Sequence, residues 1–328
     1  MIIDCHVHAC ATSAQNGFVS RSLQRSLGFR FARLGLCLPH AYNSHLECQI
    51  ENRLVSSLKG TRELDVAVIL AFDAVYDRAG SFDLRRTHLY VSNDYVIDLV
   101  RRHPKMLFGA SIHPYRRDAL SELERCVKAG AVLLKWLPIT QDIDPTDERC
   151  IPFYEALAHW RLPLLSHTGG ERMLPNLNFG YADPMLLVPA LKRGVTVIAA
   201  HCGTRSVPSE PDFSGNFIRL AHDYEHLYGD TAALNLPTRS YVYDSVLGDP
   251  VVRQKLVHGS DWPIIPLPPA TRLGWCRSIQ LLRGESNWIR RDVRIKELLG
   301  FERSYWERAA TILRLPANTV ANISGSVQ

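Results

Sequence analysis

Apolar residues along this chain gather into short runs of strand length, separated by longer stretches in which they recur at helical spacing. The cycle can be counted eight times. The runs cover residues 2–8, 66–72, 107–113, 132–137, 162–167, 195–201, 226–231 and 255–261, and Val, Ile, Leu and Ala dominate them. That composition suits parallel strands covered on both faces. Between them, residues 118–129 read as a helix with Leu120, Leu123, Cys126 and Val127 on one face and Gly130 as its C-cap. A second helix is predicted over 147–160, opened by Thr146 or Asp147 and stopped before Pro163. Residues 90–102, 184–193 and 240–254 are expected to fill the same role. Eight such cycles predict an α/β chain folded as a (β/α)8 TIM barrel rather than a doubly wound sheet. There is no G-x-G-x-x-G or G-x-x-x-x-G-K-[ST] phosphate cradle, no repeat and no low-complexity segment.

Three connections exceed simple turns: residues 9–43, 169–183 and 203–215. Each leaves the C-terminal end of a predicted strand, where a barrel keeps its active site, so all three are expected to shape a substrate pocket. The first carries Phe18, Arg21, Arg25, Phe29 and Phe31. Beyond residue 263, helical patterns at 273–282, 288–299 and 305–313 are expected to complete the eighth unit and plug the barrel. Residues 1–328 thus read as one domain with a helical C-terminal extension over about 270–315, a length within the range of single α/β barrels.

Composition narrows the class. The chain has 328 residues, 46% hydrophobic and 22% charged, with 38 Lys+Arg against 33 Asp+Glu. The net charge of +5 is scattered, which favours an anionic small molecule slightly and excludes a nucleic-acid surface. No run reaches the ~20 apolar residues of a membrane span, and the start lacks the regions of a signal peptide. The eight cysteines form no C-x-x-C pair, so reduced thiols in a cytoplasmic protein are expected. The expected partner is a small-molecule substrate, with no nucleic acid and no membrane. A homo-oligomer is compatible with everything here.

Chemistry enters at the ends of the runs. In Asp4-Cys5-His6-Val7-His8 the two histidines are two apart on a strand and share a face. They fit either a metal site or a pair of hydrogen-bonded core histidines. His167, His201 and Asp261 then close the fifth, sixth and eighth runs, each followed by loop-forming residues. Histidines and a carboxylate gathered at one rim make the nitrogen and oxygen donor set that suits zinc first, with manganese or iron as alternatives.

These motifs, with Ser166-His167-Thr168-Gly169, Ala200-His201-Cys202-Gly203 and Gly259-Ser260-Asp261-Trp262-Pro263, resemble the amidohydrolase superfamily of metal-dependent hydrolases. The last motif resembles the amidohydrolase-related branch that includes aminocarboxymuconate-semialdehyde decarboxylase. The resemblance runs from residue 2 to about 313. It implies that His6, His8, His167 and Asp261 hold a divalent ion, and that His201 contacts substrate or water or binds a second ion. Lys135, at the end of the fourth run, corresponds to the lysine that binuclear members carbamylate as a metal bridge. Its apolar flanks Leu133, Leu134, Trp136 and Leu137 favour either a neutral amine or one paired with a substrate carboxylate. The decarboxylase-like branch is usually mononuclear, so one ion is expected, with two ions, bridged by carbamylated Lys135 and the second bound by His201, as the alternative.

His113, Asp73 and Arg172 are further candidates for orienting a substrate, as are Arg116, Arg117 and Arg205. The expected reaction is hydrolysis of an amide, lactone or ester by a metal-activated water, with Asp261 as base and His201 stabilising the oxyanion. Decarboxylation or hydration on the same site is the alternative. Decarboxylating members often carry Glu soon after the sixth-strand histidine, where this chain has Cys202-Gly203-Thr204. A non-catalytic binding barrel is the third reading.

Overall fold

The computed structural model describes residues 1–39 and 44–315. Eight parallel strands form one sheet in chain order: β1 (Ile3–His8), β2 (Val66–Leu70), β3 (Met106–Ala110), β4 (Leu133–Trp136), β5 (Leu164–His167), β6 (Val197–Ala200), β7 (Leu227–Asp230) and β8 (Leu256–Val257). The regular ladder of β8 is only two residues long, shorter than the run at 255–261 predicts. Its continuation nevertheless closes the barrel against β1. Cys5 N donates to His258 O (3.0 Å), Asp261 N to His6 O (2.8 Å) and His8 N to Trp262 O (2.9 Å). Helices cover the outside of every crossover, as the alternating pattern requires.

Alternation along the strands splits the apolar residues into two layers. One lies between sheet and helices and contains Ile69, Phe108, Leu134, Trp136, Leu164 and Val197. The other fills the barrel with Ile3, Cys5, Val68, Leu133, Leu165, Ile198 and Val257. Cys5 joins this inner layer directly before His6 because the β1–β2 register shifts between Asp4 and Val7. Ala309 and Leu313, from the helix Arg303–Ile312 and the residue that ends it, belong to the same inner cluster. Arg314 N donates to Val132 O (3.1 Å), so the tail plugs the barrel as its pattern predicts. Residues 316–328 of that tail lie outside the described residues.

Helix boundaries differ from the sequence pattern where local chemistry intervenes. The helix Asn93–Arg102 starts later than residue 90, because Leu89–Val91 pairs antiparallel with Gly17–Val19 and Ser92 caps the helix through Tyr95 N. Residues 184–193 form a 3-10 segment (Pro184–Leu187) and one helical turn (Val188–Leu191), since Pro184 and Pro189 lack N–H donors. Residues 240–254 break into Ser240–Val242, Tyr243–Gly248 and Pro250–Arg253, with Asp249 capping the last. The helix Ala119–Lys128 ends as expected, with Gly130 at φ +96°. The connection over 9–43 is more than a loop, for it carries the helices Arg21–Gln24 and Leu27–Gly35. Its residues 40–43 lie outside the described residues. No helix among the described residues is long and apolar enough to cross a membrane.

Candidate metal centre

The inner faces of the strands turn polar at one rim. His6 and His8 project there from β1, Lys135 from β4, His167 from the end of β5 and Asp230 from the end of β7. His201 and Asp261 stand just beyond β6 and the β8 ladder, both with left-handed backbones (φ +60° and +62°). A non-glycine residue in that region costs about 1 kcal/mol or more, and such strain gathers at functional sites.

The donor atoms converge. His6 Nε2 lies 3.1 Å from His8 Nε2 and 3.3 Å from Asp261 Oδ1, and His8 Nε2 lies 3.2 Å from the same oxygen. Ligand atoms bonded at ~2.0–2.2 Å around one ion are separated by roughly 3–3.5 Å, so this trio is spaced to share a cation. His6, His8 and Asp261 are the one group of metal-ligating type among the described residues with all atoms within 4.8 Å. His167 stands outside that trio, but its ring is 4.8 Å from that of His201, which is 5.3 Å from that of His6. Its Nε2 is buried with no hydrogen-bond partner. A buried imidazole nitrogen left unpaired is costly, and an ion at the rim would satisfy it.

The surroundings hold His6, His167 and His201 neutral, the state in which a histidine ligates. His6 Nδ1 donates to Asp230 Oδ2 (2.6 Å), which fixes the tautomer and leaves Nε2 as the lone-pair donor. Asp230 itself is pinned by His201 N (2.8 Å) and Ala232 N (3.1 Å). Burial pushes the pKa of His6 and His167 well down, with Lys135 adding to it, and burial together with Arg239 does the same to His201. Asp261 is held below the usual carboxylate range. Burial raises it, but the attraction of His6, His8 and Lys135 outweighs that. His201 Nδ1 lies 2.8 Å from Ala232 O, and since a carbonyl only accepts, that nitrogen carries the proton. Its Nε2 is therefore an acceptor, suited to a water or an ion rather than to donating to an oxyanion.

Lys135 is fully buried and its Nζ lies 3.2 Å from His6 Nε2. Burial brings its pKa down to about 8 despite Asp230 and Asp261. Two members of this neighbourhood escape the sequence reading. Asp230 sits inside a predicted strand, one residue before the end of its run and with no loop former after it, and Glu171 sits one residue past Gly169-Gly170. Burial raises the Glu171 pKa.

The other candidates are placed elsewhere. His113 is buried, with Nε2 donating to Gln141 O (2.9 Å), and Asp73 accepts from His113 N (2.7 Å) and pairs with Arg116 (3.2 Å). Arg172 points outward, 58% exposed, onto Glu210 (2.7 Å). Arg117 donates to Ala79 O, and Arg205 lies over the Tyr241 ring. None of these lines the cavity above the rim. That cavity has a volume of about 110 Å³ and is walled by Phe29, Phe72, Leu89, Leu137, Met173 and Ile264, with His8, His167, His201, Asp261 and Glu171 at its polar end.

The amidohydrolase family model Amidohydro_2 matches residues 3–280. The chain belongs to the amidohydrolase family. It is accordingly a metal-dependent enzyme of that superfamily, and the His6, His8 and Asp261 group lies within the matched residues. No functionally curated protein matches this amidohydrolase by sequence. Among solved structures, an uncharacterized TIM-barrel protein from Bordetella bronchiseptica is 16% identical, with a TM-score of 0.61 over 99% of this chain and 98% of its own. A candidate 2-pyrone-4,6-dicarboxylic acid hydrolase from Pseudomonas putida is 14% identical (TM-score 0.53, 100% and 98% covered). 5-Carboxyvanillate decarboxylase from Sphingomonas paucimobilis is also 14% identical (TM-score 0.53, 96% and 99% covered). At such identities the likeness concerns the fold.

Proposed function

We propose that this amidohydrolase is a hydrolase that cleaves an amide, lactone or ester bond in a small molecule. The observation that carries the reading is the convergence of His6 Nε2, His8 Nε2 and Asp261 Oδ1 at the floor of an apolar cavity. In this reading His6, His8, Asp261 and the unpartnered His167 Nε2 hold one divalent ion, with zinc the expected metal. Such an ion, when bound, lowers the pKa of a water to near 7 and polarises a carbonyl. Asp261, kept ionised by its neighbours, takes the water's proton, and His201 Nε2 accepts the water's second hydrogen and orients it. Asp230 holds His6 in the tautomer the site needs. The apolar walls lower the local polarity around these contacts.

Decarboxylation is the second reading, and Lys135 favours it: a buried amine beside His6 can hold a substrate carboxylate. Hydrolysis is preferred because no arginine or lysine lines the cavity wall among the described residues, and because Cys202-Gly203-Thr204 follows His201 where members resembling decarboxylases often carry Glu soon after that histidine. We further place the protein in the cytoplasm, consistent with eight free cysteines.

The test combines metal analysis with turnover. His6→Ala/His8→Ala should lose the ion, and Asp261→Asn should lower hydrolysis of responsive nitrophenyl esters or anilides by ~10² or more. Full metal occupancy in the double variant, or CO2 release from aromatic acids in place of hydrolysis, would reject the reading.

A further inference from the structure

The walls of the cavity describe the molecule that fits it. Phe29, Phe72, Leu89, Leu137, Met173 and Ile264 offer only apolar surface, and the volume of about 110 Å³ is below the ~150 Å³ of an apolar cavity that admits a benzene ring. The part of the occupant held between these walls is therefore small and apolar. Lys135 stands at the metal floor beside His6, and the other nearby cations are engaged outside the cavity. Arg172 is paired with Glu210, and Arg239 is buried with its guanidinium on Gly170 O, Thr204 and Ser206 Oγ. A carboxylate carried away from the reacting carbonyl would be stripped of water with no positive partner, which is strongly unfavourable.

Among the described residues of the lining, Glu171 is the one charged side chain outside the histidine–aspartate group. Its Oε1 accepts from Met173 N and from Leu174 N (3.1 Å), which fixes the side chain. Oε2 is left 3.9 Å from His167 Nδ1 at the cavity's edge. An acceptor held rigidly in apolar surroundings discriminates strongly, because a ligand without a donor leaves it unpaired.

We propose that the site selects a compact, apolar-bodied carbonyl compound that gives a hydrogen bond to Glu171 and carries no carboxylate remote from the reacting carbonyl. The proposal rests on the hydrolase reading and makes Glu171 a specificity-determining residue. Three metal-binding probes of similar length separate the outcomes: 4-aminobutyrohydroxamic, pentanohydroxamic and succinic monohydroxamic acid. Their shared head group makes differences in Kd report the far end of each molecule. Calorimetry on the metal-loaded protein should rank them amino, apolar, carboxylate, with tenfold or more between the extremes. Glu171→Gln, which keeps the acceptor for Met173 and Leu174, should shrink that spread at least threefold. Equal or tighter binding of the succinic probe, an unchanged spread in Glu171→Gln, or no binding of any probe overturns the proposal. If the variant fails to fold, the wild-type ranking alone decides. Because binding is read instead of turnover, the expected ranking in a protein that hydrolyses no ester or amide would reject the hydrolase reading and leave the selectivity standing.

Discussion

At the scale of single residues, Lys135 separates the two ways of populating this rim. A buried amine with a pKa of about 8 is neutral in a substantial fraction near physiological pH, as carbamylation requires. Yet its nitrogen sits 3.2 Å from His6 Nε2, close enough to serve a single-ion site as a hydrogen-bonding group. With one ion expected, Lys135→Ala should keep the metal stoichiometry of the wild type and raise KM more than it lowers kcat, the pattern of lost ground-state binding. Elemental analysis of the two proteins side by side decides it: loss of half the metal would establish the bridge. The rim residues could be read from sequence because each of His167, His201 and Asp261 ends an apolar run and meets a loop former. Asp230 and Glu171 could not, because Asp230 stands before the end of its run with no loop former after it, and Glu171 already lies in the loop beyond Gly169-Gly170. The roles of His113, Asp73 and Arg172 were equally hidden, since the partners that engage them, Gln141, Arg116 and Glu210, are brought near only by folding.

At the scale of elements, the loops after β5 and β6 hold the site's shape by touching backbone to backbone. A Cβ on Gly169, whose φ is +78°, would stand 2.1 Å from Thr204 O. One on Gly170 would stand 2.1 Å from Glu210 Oε2 and 2.4 Å from Ser206 N. Glu210 meanwhile accepts from Ser206 N (2.8 Å) and Val207 N (3.2 Å), and Arg239 ties Gly170 to Thr204. Gly170→Ala should therefore push Glu210 off its partners and cost about 2–3 kcal/mol, within the range for overpacking a close contact. Gly215→Ala, in the helix Ser214–Asp223 with nothing within 4 Å, should instead stabilise by up to about 1 kcal/mol. Melting curves showing equal effects for the two would refute the backbone-contact argument. The strands were legible because burial on both faces leaves an apolar run that few other structures produce. The helices were less so where proline or a competing strand intervened, as at Pro184, Pro189 and Leu89–Val91, since local propensity carries no record of a partner far along the chain.

At the scale of the whole molecule, the barrel divides its labour between two ends. The polar rim carries His6, His8, His167 and Asp261, while Ala309 and Leu313 pack into the inner cluster with Ile3, Val66 and Leu133, anchored by Arg314 on Val132. Chemistry at one end and packing at the other is the usual partition of this fold, and it makes the two energetically separable. Leu313→Ala removes three buried carbons from the plug and should cost about 2–3 kcal/mol, the lower part of the range for such truncations. Stripping the ion should lower the melting temperature by a further amount set by its affinity and concentration, because only the folded chain presents the assembled ligands. Sites that share no partners add within about 0.5 kcal/mol. The fall on metal removal should thus be the same in wild type and in Leu313→Ala, and the variant should bind as much metal as the wild type. A thermal-shift cycle over these four states measures the coupling directly. A metal-dependent shift that changes with Leu313 would mean that the plug and the rim are parts of one cooperative device.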